Sequence, residues 1–280
     1  MNRYALIGYP LSHSLSPIMH NSAFRELGLE KDYKYELRPT LDDELNGVVK
    51  EIREGSLSGA NVTIPYKKRI IEYLDIISEE STIIGSVNTL HRKGELVEGC
   101  NTDTSGFLRS LNEQSVRVKH SNAIILGAGG AARAVTYTLV REGINRLDII
   151  NRSAENANNM VDELKLREWC EIRVWSRQLK KPEMSDSNLL VNCTPLGMTG
   201  YSISDMPMKG EELHSDLVVM DLVYNPRETK LLREAKKRGC KIIDGIGMLV
   251  HQGAAAFELW IGKKPPIETM RSTVIQALGG

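Results

Sequence analysis

The stretch from Ala123 to Val140 leaves this chain few folds to choose from. A short apolar run, Ala123-Ile124-Ile125-Leu126, leads directly into Gly127-Ala128-Gly129-Gly130-Ala131-Ala132 and then into the helical Arg133-Ala134-Val135-Thr136-Tyr137-Thr138-Leu139-Val140. Gly127 permits a tight turn, Gly129 lets backbone N–H groups approach a pyrophosphate, and Ala132 takes the small-residue place where helix meets strand. In an isolated loop such a cluster would mean no more than a flexible turn. Between a strand and a helix it reads as a dinucleotide-binding turn.

The next strand ends in Asn151-Arg152-Ser153, where an NAD enzyme commonly places a carboxylate for the ribose hydroxyls. A guanidinium stands there instead. Arg152 can meet a 2′-phosphate through charge-assisted, forked hydrogen bonds, which favours NADP over NAD. Asp148 lies inside the strand and Glu155 beyond the turn, so neither is an obvious replacement acid. The bland alternative for Arg152 is an ordinary surface arginine.

From about 122 to 246, short apolar runs alternate with helical stretches: 123–126, 147–150, 172–174, 189–191, 217–220 and 241–243. Six strands separated by crossovers predict a doubly wound parallel sheet. Before about residue 103 we read strands near 4–7, 33–37, 58–63, 87–92 and 95–99 and helices near 16–27, 41–54 and 65–77, with a hairpin through Lys93-Gly94. After Gly247 the chain is helical again, with Met248, Leu249, Gln252, Ala255, Ala256 and Leu259 on one face, and this tail is expected to return to the first domain. The chain thus reads as α/β with two domains: a discontinuous one with a mixed sheet, 1–103 plus 247–280, and a Rossmann-type one, 104–246.

The 36 basic and 36 acidic residues cancel, so nothing suggests a phosphate-tracking surface or a binder of acidic membranes. A small-molecule ligand is the expectation, with no nucleic acid and no membrane. Cys100, Cys170, Cys193 and Cys240 are widely separated and the six histidines have no metal-ligand spacing, which predicts free thiols and no metal site. The amino terminus enters the strand Tyr4-Ala5-Leu6-Ile7 without a basic leader or apolar signal core, so a cytoplasmic location is expected. Oligomeric state stays open, a homodimer among the options.

Lys67 draws attention in the first domain. In Pro65-Tyr66-Lys67-Lys68-Arg69-Ile70-Ile71-Glu72-Tyr73-Leu74, Pro65 suits a first helical position, and Lys67 begins the stripe continued by Ile70, Ile71, Leu74 and Ile77. Lys68 and Arg69 turn away. A lysine on a buried stripe either snorkels to the helix end or serves a site, and the preceding Asn61-Val62-Thr63-Ile64 adds polar groups that suit a pocket wall.

Other polar residues also sit at element ends. Ser16 suits an N-cap before Pro17, which leaves Ser14 surplus to capping. Asn88 stands at a strand start, where turn formation would explain it. Asp103 opens a helix, where a first-turn carboxylate is common. Gln252 interrupts an apolar stripe, and a buried amide needs partners.

Together these segments resemble the shikimate dehydrogenase family over almost the whole chain. The matching pieces are Ser14-Leu15-Ser16-Pro17, Asn61-Val62-Thr63-Ile64-Pro65-Tyr66-Lys67, Ser86-Val87-Asn88-Thr89, Asn101-Thr102-Asp103, the Gly127 turn, Asn151-Arg152-Ser153, Asn192-Cys193-Thr194-Pro195-Leu196-Gly197, Asp221-Leu222-Val223-Tyr224-Asn225-Pro226 and the run from Gly245 to Gln252. The resemblance implies reversible, NADP-dependent conversion of 3-dehydroshikimate to shikimate, on the way to chorismate and the aromatic amino acids, in a cleft between the domains. It implies that Lys67 and Asp103 are the catalytic pair, and that Ser14, Ser16, Thr63, Asn88, Asp103, Tyr224 and Gln252 hold the substrate. Gly127, Ala128, Gly129, Gly130, Ala131, Asn151, Arg152 and Ser153 would bind the cofactor, with Thr194, Leu222, Gly245 and Met248 nearer the nicotinamide. Rival readings are an NAD-dependent quinate/shikimate dehydrogenase, against which Arg152 argues, a related amino-sugar-acid dehydrogenase, and a non-catalytic metabolite sensor on the same scaffold.

Overall fold

Two six-stranded sheets organise the chain, one in each of two units, in a computed structural model that describes residues 1–177 and 184–279. Unit 1 comprises Met1–Gly106 and the chain from Val250 onward; unit 2 is Phe107–Leu249.

Unit 1 contains strands β1 (Asn2–Gly8), β2 (Tyr33–Pro39), β3 (Gly59–Val62), β4 (Ile76–Ile77), β5 (Thr89–Lys93) and β6 (Leu96–Cys100), in the order β2-β1-β3-β5-β6-β4. β1 runs parallel to β2 and β3, while β5 is antiparallel to β3 and β6, so the sheet is mixed. Helices α1 (Ser16–Glu26), α2 (Leu45–Glu54), α3 (Glu79–Ile84) and α4 (Asp103–Glu113) follow in chain order. The period of two along β1 divides its side chains between two cores. Ala5 and Ile7 join Leu45, Val48, Val49 and Ile52 of α2, whose spacing presents one helical face, and Gly55 ends that helix in the left-handed conformation at φ 84°. Each fully buried residue of this size is worth roughly 1.5–3 kcal/mol, so the stripe holds α2 to the sheet. Tyr4 and Leu6 point the other way, and the Tyr4 ring stacks on Trp260 with centroids 4.6 Å apart.

Unit 2 contains β7 (Asn122–Leu126), β8 (Arg146–Asn151), β9 (Glu171–Ser176), β10 (Leu189–Asn192), β11 (Val218–Asp221) and β12 (Lys241–Ile243). All neighbours pair in parallel, in the order β12-β11-β10-β7-β8-β9, as the alternating pattern predicts. Its helices are α5 (Gly130–Arg141), α6 (Ala154–Leu164) and α7 (Lys230–Lys237). Strand order reverses between β7 and β10, the switch point of a doubly wound sheet. Helix α8 (Ile246–Ile261) carries the chain back into unit 1, where Phe257 packs on Phe24 of α1, and α9 (Ile267–Ala277) also lies against α1.

Two local expectations need correction. Residues 65–77 do not form a helix: the Ile64–Pro65 peptide is cis, a turn closes through Tyr66 N–H and the Thr63 carbonyl at 2.9 Å, and only a 3-10 stretch forms at Arg69–Tyr73. The chain then extends as β4 along β6, and Ile70 still reaches the core with Ile71, Leu74 and Ile77 packed against it. Apolar spacing therefore survived without the helix. The first turn of α1 also differs, because Ser16 is helical and buried, and its N–H donates to Ser14 Oγ at 3.3 Å. Helix α3, unforeseen in the sequence, starts where Ser78 accepts from Ser81 N–H and stops at Gly85 with φ 62°.

Candidate active site

In unit 1, polar side chains gather where the parallel strands β1 and β3 end and where β5 and β6 meet. Gly8 makes the first part of this arrangement feasible, since a Cβ there would sit 2.5 Å from Thr63 Cγ2 and 2.8 Å from the Ile64 carbonyl. Without that atom, Thr63 N–H bonds the Ile7 carbonyl at 2.9 Å and Tyr9 N–H the Ile64 carbonyl at 3.1 Å, which ties the two loops together. Ser14 lies on the first loop, and its hydroxyl donates to Ser16 Oγ at 3.3 Å. Thr63 and Lys67 lie on the second.

Lys67 is turned inward by its backbone rather than by a helical face, because its carbonyl accepts from Val87 N–H at 2.8 Å. Its side chain is 15% exposed and Nζ donates to Asp103 Oδ2 at 2.5 Å; the Asp103 side chain is 5% exposed. Asn88 Nδ2 donates to the other carboxylate oxygen, Oδ1, at 2.8 Å. The Asn88 amide is itself oriented, for its Oδ1 accepts from Thr102 N–H at 2.8 Å and from the Thr89 hydroxyl at 2.9 Å. Asp103 thus does not cap its own helix. Asn101 meets the first N–H of that helix instead, its Oδ1 accepting from Asp103 N–H at 3.0 Å.

Gln252 belongs to the same cluster, with its Oε1 3.5 Å from Asn88 Nδ2. Gly106 allows α4 this close to α8, because a Cβ at that position would lie 2.8 Å from both the backbone nitrogen and Cβ of Gln252. Ser14, Ser16, Thr63, Lys67, Asn88, Asp103 and Gln252 therefore all belong to unit 1. Tyr224 lies in unit 2, on the loop that follows β11.

Unit 2 carries the residues expected to hold a dinucleotide. Gly127 has φ 108°, and a Cβ on it would come within 3.1 Å of Thr194 Cγ2. Ala128 and Gly129 lead into α5, where Gly129 is the N-cap and Gly130 and Ala131 form the first turn; no side chain caps it. A Cβ on Gly129 would meet nothing within 4 Å among the described residues, so open space faces the helix end whose N–H groups lack intrahelical acceptors. A pyrophosphate fits such a cradle on size, charge and donor supply.

At the end of β8, Arg152 is exposed, and no hydrogen bond or ion pair engages its guanidinium among the described residues. Asn151 Nδ2 donates to the Ser153 carbonyl at 2.9 Å, and Ser153 Oγ accepts from Asn156 N–H at 3.2 Å as the cap of α6. Asp148 is fully buried between Arg146 at 2.9 Å and Trp175 Nε1 at 2.7 Å, which removes it as a ribose ligand. Thr194, Leu222 and Gly245 follow the ends of β10, β11 and β12, and Met248 is buried in the first turns of α8. A Cβ on Gly245 would lie 2.5 Å from the Leu222 carbonyl, so those two loops also need their glycine.

Reading the sequence alone left Asn101, Thr102, Asn192 and Asp221 without roles. Each supports a neighbour by hydrogen bonds across strand ends, and that partnership has no signature in local spacing.

Comparison with known proteins gives a consistent result. Family models match in three stretches: the shikimate dehydrogenase substrate binding domain over residues 6–90, shikimate / quinate 5-dehydrogenase over 110–192, and the shikimate 5′-dehydrogenase C-terminal domain over 245–275. The chain is 42% identical to shikimate dehydrogenase (NADP(+)) of Methanopyrus kandleri, over 99% of this chain and 96% of that protein. A solved structure of a shikimate dehydrogenase in complex with NADP+ has a TM-score of 0.91 at 39% identity, covering 99% of this chain and 96% of the other. The shikimate 5-dehydrogenase of Thermus thermophilus, solved with NADP(H) and shikimate, has a TM-score of 0.88 at 36% identity, covering 99% and 100%.

Proposed function

This chain belongs to the shikimate dehydrogenase family, and from that membership we propose that it catalyses the reversible, NADPH-dependent reduction of 3-dehydroshikimate to shikimate. The observation that carries the chemistry is the Lys67–Asp103 pair, buried together and oriented by Asn88.

When bound, the cofactor's nicotinamide supplies a hydride for the carbonyl carbon. Lys67 supplies the proton for the oxygen that becomes alkoxide, since a partly desolvated ammonium at hydrogen-bond distance is a suitable general acid. In the reverse direction the neutral amine takes the hydroxyl proton back. Asp103 holds the Lys67 ammonium in place, while Asn88 keeps the carboxylate from rotating. Ser14, Ser16, Thr63, Asn88, Asp103, Tyr224 and Gln252 are proposed to bind the substrate's carboxylate and hydroxyls. Neutral donors and acceptors suit a polyhydroxylated acid, because polar groups left unpaired discriminate against analogues lacking a hydroxyl.

The turn Gly127-Ala128-Gly129-Gly130-Ala131 at the start of α5 suits the pyrophosphate, and Asn151, Arg152 and Ser153 suit the adenosine end. The unengaged cation at Arg152 and the sequestered Asp148 both favour a 2′-phosphate, hence NADP. Thr194, Leu222, Gly245 and Met248 complete the proposed cofactor site. The four cysteines are free, which fits a reducing cytoplasm, and no described helix is long and apolar enough to cross a membrane. An absorbance assay at the nicotinamide band, crossing NADP+ and NAD+ with shikimate and quinate, tests the assignment. Fastest turnover with NADP+ and shikimate is expected; preference for NAD+ and quinate would select the rival dehydrogenase.

A further inference from the structure

Unit 2 contains a buried acid for which the chemistry above has no use. Asp221 closes β11 directly opposite Asn192, the last residue of β10, and its side chain is shut off from solvent. No cation pairs with it among the described residues. Three neutral donors hold it instead: Asn192 Nδ2 at 2.8 Å and Val223 N–H at 3.0 Å on Oδ1, and the Thr229 hydroxyl at 2.7 Å on Oδ2.

Burial pushes the Asp221 carboxyl up to about 6, against its three hydrogen bonds. An ionised group with a raised folded-state pKa costs stability at neutral pH, so the carboxylate is a poor choice for a simple structural staple. What it offers is two acceptor oxygens and no donor. Facing such a group, the Asn192 amide has only one good orientation, with Nδ2 towards Asp221 and Oδ1 away. That oxygen then accepts from Thr194 N–H at 3.0 Å and from the Thr194 hydroxyl at 2.7 Å.

Thr194 lies beside the glycine turn, as the 3.1 Å distance from its Cγ2 to a Cβ built on Gly127 shows. β10, which precedes it, flanks β7 at the switch point, where doubly wound sheets receive the dinucleotide outside their strand ends. We infer that Asp221 is a positioning residue for the cofactor: through Asn192 it fixes the Thr194 loop, and through Val223 the loop after β11, in the shape that receives the nucleotide half beyond the pyrophosphate. This rests on the NADP reading above and adds a residue that touches no reacting atom.

Asp221→Asn separates positioning from mere support. The amide keeps the size of the carboxylate, but with its oxygen held by Val223 N–H its NH2 faces Thr229 and a neutral, weaker acceptor meets Asn192 Nδ2, so Asn192, and through it Thr194, is held less firmly. Titration of NADPH fluorescence, which needs no turnover, should show Kd rising about tenfold, the effect of roughly one lost hydrogen bond. The unfolding midpoint should hold or rise, because a buried charge has gone. Asn192→Ala, which deletes the relay and leaves Asp221 its other two donors, should weaken NADPH in the same direction. The inference is overturned if either variant binds NADPH as tightly as the parent, or if Asp221→Asn lowers the unfolding midpoint with Kd unchanged. Failure of the parent to bind NADPH would overturn the NADP reading and this inference with it. A parent that binds NADPH but does not turn over shikimate would overturn only the substrate assignment.

Discussion

Lys67 and Asp103 stand 36 positions apart in sequence, yet Nζ and Oδ2 are 2.5 Å apart in a site that leaves the two side chains 15% and 5% exposed. Removing the charge from one partner should be felt in both rate and stability. Asp103→Asn leaves the ammonium without its counter-charge and changes the acceptor that Asn88 Nδ2 meets. We expect kcat to fall on the order of 10²-fold or more and stability to drop by about 1–3 kcal/mol. Initial rates and urea unfolding check this; an unchanged kcat would remove Asp103 from the mechanism.

Arg152 is expected to decide between the two nicotinamide cofactors. Arg152→Ala should raise the NADP Michaelis constant by about 10- to 100-fold, the worth of a charge-assisted contact, and leave that for NAD nearly unchanged. A contact remote from the hydride is uniform binding, so kcat at saturation should move little. Equal losses with both cofactors would show that Arg152 supports the loop and does not read the phosphate.

Gly106 sets how closely α4 approaches α8, and Gln252 depends on that approach. Gly106→Ala introduces a methyl group 2.8 Å from the Gln252 backbone nitrogen, so the helices must separate at a cost of about 1–3 kcal/mol. The shikimate Michaelis constant should rise while NADPH binding stays near normal. Gln252→Leu should produce the same kinetic change with thermal stability held. A destabilised Gln252→Leu with unchanged shikimate kinetics would mean that the amide serves the fold.

His20 supplies a pH prediction independent of activity. It is fully buried, both ring nitrogens lack hydrogen-bond partners among the described residues, and the ring stacks on Tyr35 with centroids 4.3 Å apart. Burial pulls its pKa from 6.5 to about 3. The unfolded chain therefore takes up a proton at His20 that the folded chain refuses, and stability falls as pH drops from about 6.5 towards 3, by about 1.4 kcal/mol per pH unit. Asp221, whose pKa is raised from 3.8 to about 6, acts in the opposite sense over part of that window: its stabilisation is present below 3.8 and lost as pH rises through 6. His20→Phe isolates the histidine contribution. The difference in unfolding free energy between parent and variant should follow the predicted slope between pH 6 and 4; a pH-independent difference would contradict it.

Much of unit 2 was legible because a parallel sheet buried on both faces writes each strand as an apolar run, as in 123–126 and 189–191. The glycine turn was legible because only small residues suit its backbone and neighbours. Lys67 was singled out for a reason that the structure replaces: the stripe at 70, 71, 74 and 77 is filled by a 3-10 stretch, the extended Leu74 that ends it and β4, whose inward spacing happens to match a helix over a few residues. A cis peptide before Pro65 has no mark in the surrounding residues that pattern reading detects. Asn88 and Asp103 looked like ordinary turn and first-turn residues, since their partners come from other strands and only the β5–β6 pairing brings them together.

The proton-donor assignment is tested most directly by comparing Lys67→Ala with Lys68→Ala in the NADPH-dependent reduction of 3-dehydroshikimate. Lys67→Ala should lower kcat by about 10²–10⁴-fold, the usual contribution of a general acid, with NADPH affinity almost unchanged. Lys68, whose side chain is on the exposed side of the same turn, should tolerate alanine with kcat within about twofold of the parent. Two equally active variants would contradict the assignment of the proton to Lys67.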